Sequence, residues 1–111
     1  MLLVLCPESW YLFNGHCYQS NSDKVTYDVA SSVCKEANVK AELASIHGDV
    51  ENRVLSHQQT RDEAFIGLKN FGSGDWQWTD GSRANFTQWG EGQPGEEECA
   101  VLHQSGDWTS V

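Results

Sequence analysis

Apolar residues recur along this chain at changing intervals, and each interval predicts a different element. Between Trp10 and Tyr18, apolar runs flank Asn14-Gly15. That dipeptide suits a tight two-residue turn, so the stretch predicts a β-hairpin. From Thr26 the spacing lengthens. Val29, Ala30, Val33, Cys34 and Ala37 recur at helical intervals, with Asp28, Lys35 and Glu36 opposite them. This predicts a helix over about 26–38 with Cys34 on its buried face. Leu43-Ala44-Ser45-Ile46 reads as a short extended element. A second helix follows over about 49–60, with Asp49 as N-cap and Val50, Val54 and Leu55 facing inward.

Beyond Phe65 the pattern becomes short apolar runs separated by Gly, Asp, Asn and Pro, as in strands joined by turns. A long irregular loop region is expected from about Gly67 to Gly95. Trp76 and Trp78 are two apart, so on a strand they face the same side and pack as a pair. Asp80-Gly81 after them is a turn signal. No internal repeat or low-complexity linker interrupts the chain. The expected architecture is α+β, two helices packed on small antiparallel sheets.

Composition narrows the function. The 111 residues suit one domain, expected over 6–111 and preceded by an apolar remnant over 1–5. Sixteen acidic against seven basic side chains give a net charge of −9. Nucleic acid and anionic membranes are therefore poor partners, whereas cationic partners and divalent metals stay open. Met1 to Leu5 is too short for a signal-peptide core or a membrane span, so no membrane insertion is expected from this segment.

Four cysteines in so short a chain point to an oxidising compartment, and their spacing does not make a zinc site. A Cys6–Cys17 bridge would staple the base of the hairpin, worth about 2–3 kcal/mol. His16, His47, His57 and His103 are scattered, and none sits beside a nucleophile in the sequence. A Ser–His–Asp arrangement would have to be assembled by the fold, and no enzyme is expected.

One stretch carries more identity than the rest. It runs Phe65-Ile66-Gly67-Leu68, then Trp76-Gln77-Trp78-Thr79-Asp80-Gly81, Phe86-Thr87-Gln88-Trp89, Gln93-Pro94-Gly95 and Glu97-Glu98-Cys99. With Leu43 to Ile46 and Glu51 upstream, this order resembles the C-type lectin-like domain over residues 6 to 111. The resemblance implies a long-form domain with the N-terminal pair Cys6 and Cys17. It also implies a secreted protein, or the extracellular part of a membrane protein, that recognises glycans or proteins.

The resemblance further implies a calcium and sugar site, since a hard cation takes about six to eight oxygens. Its remnant here is Gln93, Glu97, Thr109 and Ser110. Gln93 and Glu97 keep metal-capable oxygens, while Gly95 offers none, and Thr109 and Ser110 supply neutral hydroxyls where the family has an amide and a carboxylate. The family pattern pairs Cys34 and Cys99 with partners that would lie beyond Val111, as would a closing strand. The expectation is therefore a C-terminally truncated domain of marginal stability. Its Cys34 and Cys99 are unpaired, bridged to each other, or turned to an external thiol in an oligomer.

Three ligand-level readings follow: carbohydrate binding, calcium-independent protein binding, and a structural role in ice or mineral binding or in a disulfide-linked assembly. Asn85-Phe86-Thr87 is an acceptor triplet for N-glycosylation, which would make a glycoprotein of the secreted chain. Most tryptophans are expected in the core, with Trp10 and Tyr11 partly exposed.

Overall fold

A computed structural model describes residues 6–20, 25–38, 40–59 and 61–111. The apolar segment 1–5 and the expected end of the second helix at Thr60 lie outside the described residues. Strands β1 (Tyr11–Phe13) and β2 (His16–Tyr18) form the predicted hairpin. Asn14 and Gly15 have φ of 49° and 82°, the paired positive values that a two-residue hairpin turn demands. Cys6 and Cys17 are bridged beneath it. The Tyr18 phenol lies near enough to Glu51 of the second helix for its charge to act on it.

Burial, helped by the Glu51 charge, pushes the Tyr18 phenol from 10.0 up to about 12. The unfolded chain therefore releases this proton near pH 10, before the folded one does, and stability falls as pH rises from there towards about 12. Glu51→Gln should bring the titration back down, readable as phenolate absorbance. A Tyr18 midpoint unmoved by that change would mean that Glu51 contributes nothing.

Helices α1 (Tyr27–Ala37) and α2 (Asp49–Gln58) fall where the periodicity placed them. Their faces match the expectation in part: Ala30 and Leu55 are buried and Val54 packs against the core, but two of the valines turn outward. Val29 is 48% exposed and Val50 is 54% exposed. Beside the expected Leu55, the polar Asn52 and Ser56 of α2 and its C-cap Gln59 are also buried. Gly48, not Asp49, is the N-cap, and Asp49 lies in the first turn, where a carboxylate suits the helix dipole. Tyr27 of α1 packs edge-on against Phe65 at 5.3 Å between ring centres.

Four strands form the main sheet: β3 (Glu63–Asn70), β4 (Trp76–Trp78), β5 (Cys99–His103) and β6 (Trp108–Ser110), in the order β4-β3-β5-β6, all antiparallel. Gly67 is thus a buried residue of β3 rather than the start of a loop, and the irregular region begins after Trp78. The β3–β5 register shifts between Ile66 and Lys69. There the Gly67 N–H turns to the Ala44 carbonyl at 2.9 Å, and its own carbonyl accepts Thr79 N–H at 2.7 Å. The segment containing Leu43 and Ile46, both buried, is held against the sheet in this way.

Trp108 is fully buried at the centre of the core. Trp78, Phe86 and Trp89 pack edge-on against it at 5.6–5.8 Å, and Trp76 reaches the cluster through Trp89 at 4.9 Å. Trp76 and Trp78 are therefore joined through their neighbours rather than ring to ring. Trp10 and Tyr11 are half-buried. Cys34 and Cys99 are free thiols, both half-buried, and burial raises both above their ordinary range.

Candidate functional site

The residues from Gln93 to Ser110 meet because β6 runs beside β5 and the loop after Trp89 folds back on it. Trp89 bridges Trp108, and Gly90 N–H donates to the Trp108 carbonyl at 2.9 Å. The chain then passes through Gln93 and Pro94, joined by a cis peptide bond, towards Glu97.

Ser110 gathers this site. Its N–H donates to Gln93 Oε1 at 3.0 Å, and its hydroxyl accepts the Gly95 N–H at 2.8 Å. The hydroxyl oxygen lies 2.6 Å from Glu97 Oε1 and 3.0 Å from Gln93 Oε1. A hydroxyl has one proton to give, and the shorter distance and the charge assign it to Glu97. That hydrogen bond holds the exposed Glu97 carboxyl below its ordinary range. Thr109 points elsewhere: its hydroxyl is 2.8 Å from His103 Nε2, and His103 Nδ1 lies 3.9 Å from Glu63. Gln93, Glu97 and Ser110 are thus brought together, and Thr109 joins a separate pair.

These residues do not fit calcium. The Ser110 hydroxyl is committed to Glu97 and Thr109 turns to His103, so of the expected set only Gln93 and Glu97 keep side-chain oxygens for a cation that takes about six to eight. Gly95 supplies no side-chain oxygen, and a Cβ there would run into Glu97 Oε1. Among the described residues no group of three or more His, Cys, Asp or Glu side chains is arranged to hold a metal.

A second polar cluster was not legible in the sequence. Ser45 donates to Asp80 Oδ2 at 2.6 Å, and Ser82 donates to Asp80 Oδ1 through both its N–H, at 2.8 Å, and its hydroxyl. His47 Nε2 lies 3.1 Å from both serine oxygens, and Nδ1 lies 3.3 Å from Asn85 Oδ1. Burial would raise the Asp80 carboxyl, but the hydrogen bonds from Ser45 and Ser82, with His47 nearby, outweigh it and lower it. Serine, histidine and aspartate are assembled here without the polarity of a catalytic triad. Both serines give their protons to the carboxylate, and the imidazole faces Asn85 instead of being held by the acid. The Ser45–Asp80 contact spans 35 positions, so no local motif announces it.

A family model described as the lectin C-type domain matches residues 23–111. The chain belongs to the C-type lectin family. It is 37% identical over 108 residues to C-type lectin 1 of Hydrophis hardwickii, covering 89% of this chain and 66% of that relative, just under two thirds of its length. Among solved structures it resembles a calcium-independent type II antifreeze protein, with TM-score 0.90 and 25% identity, covering 99% of this chain and 87% of that one. It also resembles the cow C-type carbohydrate-recognition domain of CD23 in the presence of a GlcNAc2Man3 oligosaccharide, with TM-score 0.87 and 27% identity, covering 96% and 85%. This C-type lectin chain has, among its described residues, no helix long and apolar enough to cross a membrane.

Proposed function

We propose that this C-type lectin chain is a non-enzymatic extracellular recognition module that binds carbohydrate without calcium. In this reading Gln93, Glu97 and Ser110 offer direct hydrogen bonds, and Thr109, paired with His103, takes no part. The observation that carries the reading is Ser110, whose hydroxyl gives its proton to Glu97 and holds that carboxylate ionised while its N–H meets the Gln93 oxygen. The calcium independence of the antifreeze neighbour and the oligosaccharide named with the CD23 neighbour both support it.

Two measurements test it. Thermal unfolding in calcium and in chelator should give the same midpoint. A metal at 100 times its dissociation constant would add about 2.7 kcal/mol and raise the midpoint by roughly 10 °C. Glycan binding measured in chelator should then weaken at least about tenfold in Glu97→Ala, as expected when a hydrogen bond to a charged group is lost. A calcium-dependent midpoint would sink the metal-free site. Binding to a protein surface, with no glycan retained, would replace the carbohydrate reading by the protein-binding one.

A further inference from the structure

Asn85-Phe86-Thr87 is the only Asn-X-Ser/Thr triplet in the 111 residues. The middle residue turns inward, where the Phe86 ring packs edge-on against buried Trp108 at 5.8 Å, and Asn85 and Thr87 on either side are both exposed. The aromatic in the triplet therefore anchors the loop without hiding the acceptor. The Asn85 contact with His47, at 3.3 Å, is made by Oδ1, so Nδ2 is the arm of the amide that the protein does not use among the described residues.

We propose that Asn85 is an N-glycosylation site, with the glycan standing on Nδ2 beside the His47–Ser45–Asp80–Ser82 cluster. The donor class is a polyprenyl-pyrophosphate-linked oligosaccharide. Nδ2 attacks the anomeric carbon of its first sugar, a C–N bond forms as the C–O bond to pyrophosphate breaks, and the Nδ2 proton passes to base. Transfer takes place on the extended chain, so the folded protein has only to accommodate the product. It does so because Phe86 fills the core position and Oδ1 keeps its place against His47. No metal ligand or sugar contact of the proposed carbohydrate site is involved, so the two proposals stand or fall separately.

The test is intact-mass analysis of the full chain, secreted from eukaryotic cells behind a supplied leader, next to Asn85→Gln and Thr87→Ala. The unsubstituted chain should carry one oligosaccharide increment, removed by peptide-N-glycosidase with Asn85 converted to Asp, and both variants should lose the increment completely. Secreted unsubstituted chain at its unmodified mass would overturn the proposal. So would an increment that persists in Asn85→Gln.

Discussion

Asn52→Leu is expected to be the most damaging change of similar volume in this protein. Asn52 Oδ1 accepts the indole N–H of Trp108 at 2.7 Å, and its Nδ2 donates to the Gly106 carbonyl at 2.7 Å. Both contacts are buried, and Trp108 is fully so. Leucine would fill the space but orphan one donor and one acceptor, each costing about 1–3 kcal/mol. The total, about 2–6 kcal/mol, is a large part of the ~5–15 kcal/mol available to such a domain. Urea unfolding followed by tryptophan fluorescence reads this directly. A midpoint equal to that of the unsubstituted chain would show that the side chain only fills volume.

Gly67→Ala should cost about 1–3 kcal/mol, the range for overpacking a filled core. A Cβ at this position would lie 2.9 Å from the Leu43 carbonyl oxygen, 3.0 Å from Thr79 Oγ1 and 3.3 Å from the Ala44 carbonyl oxygen. Two of those atoms are backbone, so relief requires the 43–46 segment to move off the sheet. That movement would weaken the bond from Gly67 N–H to Ala44. Gly48→Ala is the control: its backbone is extended, with φ of −169°, and a Cβ there meets nothing within 4 Å. Because Gly48 is also the N-cap of α2, where alanine is less suited than glycine, it should lose only that preference, up to about 1 kcal/mol. Equal losses for the two alanines would mean that the close approach at Gly67 is not what requires glycine.

Much of the frame was legible because it is encoded locally. Asn14-Gly15 demanded a turn with two positive φ values, and the structure has it. The helical spacing after Thr26 and after Gly48 placed both helices within a residue or two. The short apolar runs from Phe65 onward fall on the four strands of the sheet, whose outer ends reach Glu63 and Ser110, and the fold class followed from the order of elements.

The sequence placed Leu55 inward but did not show that polar residues of α2 are buried beside it. Hydropathy favoured Val50, yet Asn52, Ser56 and Gln59 go inward. Asn52 and the Nε2 arm of Gln59 are tolerated there because the fold brings them partners: Gln59 donates to the Leu102 carbonyl, and Asn52 meets Gly106 and Trp108, while Ser56 donates locally to the Arg53 carbonyl. Those partners of Gln59 and Asn52 are 43, 54 and 56 positions away, beyond any local pattern. The same holds for the candidate site. Sequence named Gln93, Glu97, Thr109 and Ser110, but only the pairing of β5 with β6 and the return of the loop made Ser110 the hub and sent Thr109 to His103. A polar side chain takes its role from whichever partner reaches it across the fold, and tertiary structure alone decides that.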